Sequence, residues 1–69
     1  MSVYKVIELV GTSTDSWEDA ATQAVNTAAK SVRDLRIAEV SNLDMHIEDG
    51  SVVAYRAKVK LSFKHEDSE

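Results

Sequence analysis

Apolar residues recur along three stretches of this chain, and each spacing names a different element. Residues 3–10 (Val-Tyr-Lys-Val-Ile-Glu-Leu-Val) read as a strand with apolar side chains at both parities. Residues 16–35 set Trp17, Ala20, Ala21, Ala24, Val25, Ala28, Ala29, Val32 and Leu35 at the i, i+3, i+4, i+7 offsets of a helix. That repeat predicts one long amphipathic helix with a mostly alanine face. Small side chains let a helix sit close to a sheet, and alanine has the best helix propensity. Residues 36–64 alternate with period two and predict a large hairpin. In its second arm Val53, Tyr55, Ala57, Val59, Leu61 and Phe63 are apolar, while Arg56, Lys58, Lys60 and Lys64 fall on the other parity.

Turn and cap formers separate these elements. The first strand is expected to end at Gly11, and Thr12-Ser13-Thr14-Asp15-Ser16 leads into the helix. Ser16 followed by Asp19 resembles a capping box, with Asp in place of the usual Glu or Gln. Asp15, Glu18 and Asp19 set negative charge at the positive end of the helix dipole.

Asp49-Gly50 marks the hairpin turn. A two-residue loop would put polar positions of one arm beside apolar positions of the other. A three-residue loop, Asp49-Gly50-Ser51, instead pairs Met45 with Tyr55, Leu43 with Ala57, Ser41 with Val59 and Ile37 with Phe63. The longer loop is therefore expected, because a one-residue slip turns a whole apolar set to the wrong face. The same register sets Asp44 across from Arg56.

The expected fold is α+β: a β-α-β-β chain whose three-stranded antiparallel sheet packs on one long helix, with the last strand in the middle. The sheet face away from the helix would still hold Tyr4, Val6, Val10, Ala38 and Val40. Those apolar residues predict cover by neighbouring subunits. Size points the same way. With 69 residues there is room for one domain, residues 1–69. A domain this small buries only about 60% of its unfolded surface. There is no cysteine, so neither a disulfide nor a thiolate zinc site can add stability. Oligomerisation is the remaining route.

The net charge of −4 disfavours nucleic acid and anionic membranes as partners. No apolar run approaches the ~20 residues of a membrane span, and no signal peptide is evident, so a cytoplasmic location is expected. Residues 65–69 read as a solvated tail.

Taken together, these residues resemble the dodecin family over essentially the whole length. The features that bring the resemblance are the strand Val3 to Val10 running into Gly11-Thr12-Ser13, the alanine-rich helix, Ala38-Glu39-Val40, and Tyr55 with Val59 and Phe63. The resemblance implies a hollow homododecamer that stores or sequesters a small molecule, commonly a flavin held between subunits, and that is not an enzyme.

The family's flavin site is altered here. Its stacking tryptophan immediately precedes a Phe/Ala-Glu-Val motif, and Ile37 occupies that position. A flat ring gains about 1–3 kcal/mol from an aromatic partner, by analogy with base stacking, and isoleucine offers no such face. The family's ring-binding glutamine aligns with Arg56, which can only donate hydrogen bonds, and a nearby arginine of many bacterial members aligns with Asp44. Trp17 is expected to be a core or interface anchor instead. Ser16-Trp17-Glu18, Ile37, Asp44-Met45 and Tyr55-Arg56 match a subgroup without the stacking tryptophan, for which calcium binding is known. The resemblance thus implies a shell that has lost strong flavin binding and holds calcium, another cation or a small molecule at subunit contacts. The alternative is a storage protein for riboflavin or FMN.

Asp44, His46 and Glu48 alternate on one strand face, and Asp44 and Glu48 are the candidate cation ligands, since calcium takes several oxygen donors. Arg56 opposes a cation at Asp44. An ordinary solvated strand face explains the same three residues. There is no cysteine nucleophile or glycine-rich phosphate loop, and nothing marks His46 or His65 as a general base, so no catalytic centre is expected.

Overall fold

A computed structural model describes residues 2–65 and has the element order β1 (Tyr4–Ser13), α1 (Trp17–Ala29), β2 (Leu35–Glu48) and β3 (Ser51–Lys64). The strands form one antiparallel sheet in the order β1-β3-β2. The β-α-β-β topology and the central last strand agree with the sequence expectation. The C-terminal residues 66–69 of the expected tail lie outside the described residues; His65 is described, and its backbone N–H bonds to the Val3 carbonyl at 2.8 Å.

The core lies where α1 crosses β1 and β3. Ala20, Ala24 and Ala28 on the helix are buried against Ala57, Val59 and Leu61 on β3, with Ile7, Leu9, Val25 and Leu35 packed around them. The apolar periodicities of helix and strand thus meet on one surface. Gly11 explains why the helix can come so close: a Cβ there would overlap the carbonyl oxygen of Ala20. Glycine at 11 and alanine at 20 and 24 together set the approach.

The helix starts as expected and ends early. Ser16 is the N-cap, and its hydroxyl accepts from the Asp19 backbone N–H at 2.9 Å. The Asp19 carboxylate does not reach back to complete a capping box; it accepts from the Ser13 hydroxyl at 2.6 Å. Ser13 itself belongs to β1, which runs two residues past Gly11 to pair Thr12 with Arg56 and Ser13 with Tyr55. At the other end α1 stops at Ala29 rather than near Leu35. The backbone N–H groups of Ser31 and Val32 both turn back to the Ala28 carbonyl, at 3.1 and 2.9 Å. Asp34 then takes a left-handed φ of 61°, a conformation that Asp tolerates better than most residues. Leu35 fits the helical repeat, but its backbone is used in pairing with Phe63. Long-range strand pairing overrides the local period here.

The hairpin departs from the expected register at both ends. Asp49 and Gly50 have φ of 51° and 77°, and Glu48 pairs directly with Ser51. This is the two-residue loop with positive φ at both positions that Asp-Gly favours, not a three-residue loop. The parity conflict is resolved by a bulge instead: Ile47 pairs with Val52 and His46 with Ala54, leaving Val53 as the extra residue. Beyond it Met45–Tyr55, Asp44–Arg56 and Leu43–Ala57 pair as expected. A second irregularity between Val40 and Asn42 shifts the register again. Val40 then pairs with Val59, Ala38 with Leu61 and Ile37 with Ser62, in place of the expected Ser41–Val59 and Ile37–Phe63 pairs.

This second bulge changes which face several residues occupy. Val59 and Leu61 face the helix, so their partners Val40 and Ala38 lie on the helix side as well, not on the opposite face. Ile37, opposite Ser62, lies on the outer face. Across that face Ser62 sits between Val6 and Ile37, and Lys60 between Glu8 and Glu39. The basic column of β3 is therefore partly flanked by carboxylates.

Candidate functional site

A 13-residue helix is only about 20 Å long, whereas the chain extends 55 × 19 × 14 Å. Much of the β2–β3 hairpin consequently projects beyond α1. Val40, Leu43 and Met45 face the helix side without being covered by it. On the outer face Ile37 is 61% exposed and Val6 60% exposed, with Tyr4 and Val10 beside them. The chain exposes 5118 Å², compared with about 4300 Å² for a compact monomer of its mass.

Where the hairpin passes the helix start, four residues are linked. Arg56 donates through Nε to Asp44 Oδ1 at 2.7 Å and through its guanidinium NH₂ to Oδ2 at 2.9 Å. This two-pronged geometry is the strong form of a carboxylate–guanidinium contact. The hydrogen bonds from Arg56 hold the Asp44 carboxyl below the usual aspartate range, with smaller help from the positive charges of Arg56 and Lys58. Both side chains remain about half exposed, so the pair is a solvent-washed clamp. The indole N–H of Trp17 donates to the Asp44 carbonyl at 3.0 Å. Its ring meets Tyr55 edge-on at a centroid distance of 5.1 Å. Trp17 is thus the tie between the helix start and β2.

That tie was not visible in the sequence. An aromatic residue in the first turn, on the apolar stripe, signalled an anchor but not its partner. Trp17 also lines a shallow apolar groove with Ala21, Val40 and Leu43. Alternation alone puts Val40 on the face away from the helix; the bulge between Val40 and Asn42 turns it into this groove.

Of the expected site residues, Asp44 and Arg56 come together and Ile37 does not join them. It lies seven positions earlier on β2, or roughly 20 Å at the usual strand rise, so one copy of the chain does not assemble all three positions. The candidate cation ligands are also engaged. Glu48 Oε2 lies 3.6 Å from His46 Nε2, and Asp44 is held by Arg56. Among the described residues no group of three or more His, Asp or Glu side chains is placed to hold a metal ion. Two carboxylates on one strand face are fewer oxygen donors than calcium takes. A complete cation site would require donors from another copy.

The described residues thus form a small α+β unit that leaves apolar surface on both sides of its sheet, beyond the reach of its one helix. The dodecin family model matches residues 3–66, and the chain belongs to the dodecin family. It is 50% identical over 64 residues to a protein named calcium dodecin from Mycobacterium tuberculosis, covering 93% of this chain and 90% of that one. A solved calcium dodecin from the same organism, described as calcium chelating with a novel calcium-binding site, superposes with a TM-score of 0.83 at 48% identity, covering 99% of this chain and 97% of that one. Dodecin from Streptomyces coelicolor superposes with a TM-score of 0.90 at 39% identity, covering 97% and 96% of the two chains. No described helix is long and apolar enough to cross a membrane.

Proposed function

We propose that the chain, read as one dodecin-like domain over residues 1–69, assembles into a homododecameric shell. The shell binds a cation, calcium foremost, at contacts between subunits, rather than a flavin. It acts in the cytoplasm as a binding or storage protein and not as an enzyme. The observation that carries the assembly is the apolar surface on β2 and the outer sheet face that none of the described residues covers. The 50% identity to calcium dodecin supports the cation, and the aliphatic side chain at Ile37 disfavours a stacked flavin.

Asp44 and Glu48 are the proposed oxygen donors, and further donors come from adjoining subunits. Arg56 must yield its hold on Asp44 for that carboxylate to take part. Ile37, Asp44 and Arg56 are taken as the positions equivalent to the family's flavin site, with contributions from different subunits.

Calorimetric titration of the assembled, metal-stripped protein tests this reading, with calcium and riboflavin in parallel. Saturable calcium binding that weakens in Glu48→Gln, together with no riboflavin quenching, is the expected result. Strong quenching of riboflavin fluorescence, or a purified protein that is yellow, would establish flavin storage instead.

A further inference from the structure

The hairpin tip joins two groups that react with each other. Asp49 has no hydrogen bond or ion pair among the described interactions, and the next residue is Gly50. Strand pairing closes at Glu48–Ser51, so the Gly50 N–H lies outside the ladder. It also bonds to no other described group. Space is open around Gly50: a Cβ there would meet nothing within 4 Å. A carboxyl and an unengaged amide N–H, one residue apart and with no side chain screening the amide, are the reactants of aspartate isomerisation.

We propose that Asp49–Gly50 is the chain's site of spontaneous conversion to isoaspartate. The Gly50 amide nitrogen attacks Cγ of the protonated Asp49 side chain, forming an N–Cγ bond. The amide proton and the carboxyl hydroxyl leave as water, and a five-membered succinimide closes. Water then adds to the ring at the Asp49 main-chain carbonyl, and the original peptide C–N bond breaks. The chain continues through Cγ, and the former main-chain carbonyl becomes a free carboxylate. One water leaves and one enters, so mass is unchanged and no oxidant or reductant takes part.

Three other aspartates among the described residues, Asp15, Asp19 and Asp44, are protected by their neighbours. Asp15 also precedes a small residue, but the Ser16 N–H contacts the Ser13 hydroxyl at 3.4 Å and Ser16 is fixed as the helix N-cap. Asp44 precedes Met45, whose backbone lies within the β2–β3 ladder, and its carboxylate is clamped by Arg56. Asp19 is inside α1 and bonded by Ser13.

Isomerisation would alter the hairpin locally. The extra backbone methylene cannot fit the two-residue turn, whose two positive φ values set the Glu48–Ser51 and Ile47–Val52 pairs. The bulge at Val53 is the first point where the register can be reset. Glu48, adjacent to Asp49, would lose its fixed position. In the intact turn the reaction must await local opening of the tip, which loop ends undergo more readily than core strands.

The test is prolonged incubation of the full-length folded protein at physiological temperature and neutral pH. Peptide mapping with a fragmentation method that distinguishes the mass-neutral isomer locates the product, and methyl acceptance from a protein isoaspartate methyltransferase measures its amount. Asp49 should be the dominant isomerised aspartate. Asp49→Glu, which would need a slower six-membered closure and keeps the charge, should lose most of the methyl acceptance while retaining the wild-type circular dichroism. Isoaspartate arising mainly at Asp15 or another residue would overturn the assignment, as would its absence from Asp49 when an unstructured peptide of the same local sequence isomerises under the same conditions.

Discussion

Beneath α1, Ala57, Val59 and Leu61 of β3 meet Ala20, Ala24 and Ala28 and are almost completely shielded from water. One strand away, Val40, Leu43 and Met45 of β2 pair with Val59, Ala57 and Tyr55 on the same side of the same sheet, yet all three are exposed. The apolar character of the two regions is alike. What differs is the reach of the helix, which lies over β1 and β3 and touches β2 little. Burial in the first region is completed within the chain. In the second the described residues leave it incomplete. An alternating strand therefore states which side seeks cover, but not whether cover comes from its own chain or a sister copy.

Truncation in each region should separate the two kinds of burial. Leu61→Ala, in the shielded region, removes a side chain 1% exposed and should cost about 2–5 kcal/mol of stability, measured by denaturant unfolding. Leu43→Asp, in the open region, should leave the helix–sheet core formed but prevent assembly, because a charge cannot be buried unpaired between subunits. Size-exclusion chromatography with light scattering reads this directly. An unchanged assembly would show that the β2 surface is not a subunit contact.

Ile37→Trp probes the outer face of the open region. A flat aromatic surface there should strengthen riboflavin binding, by about 1–3 kcal/mol per stacked ring. No gain in fluorescence titration would mean that position 37 does not face the family's flavin site.

The smallest effect is expected at the solvent-washed clamp. Arg56 depresses the Asp44 pKa, so the ionised pair contributes stability above the unfolded aspartate value. That contribution is lost as pH falls through the lower folded value. Wild type should therefore be modestly more stable than Asp44→Asn at neutral pH, with the difference vanishing in acid. Melting curves across that range check the sign.

The residues of the shielded region disclosed most of its structure. Alanine at helical spacing, a strand leading into Gly11, and alternation through Val59 and Leu61 all describe elements that satisfy one another locally. The Asp44–Arg56 pairing was legible for the same reason, since the middle of the hairpin keeps the expected register. The misses cluster where distant pairing overrules local pattern. Val32 and Leu35 fit the helical repeat, but β2 claims Leu35. Alternation alone puts Ala38 and Val40 on the outer face, because a bulge leaves no mark in a binary pattern. The hairpin tip met its parity conflict by ejecting Val53 rather than lengthening the loop, which preserves the turn that Asp49-Gly50 prefers. Donors from other copies, which the proposed cation site needs, would leave no pattern in the sequence of one copy.

Whether sister copies cover the open half of this sheet is decided by the mass of the wild-type particle in dilute solution, measured by native mass spectrometry. A discrete homododecamer that survives dilution is expected, with calcium adducts if the cation sites are filled. A folded monomer retaining native circular dichroism at the same concentration would show that the exposed β2 and outer-face residues need no partner.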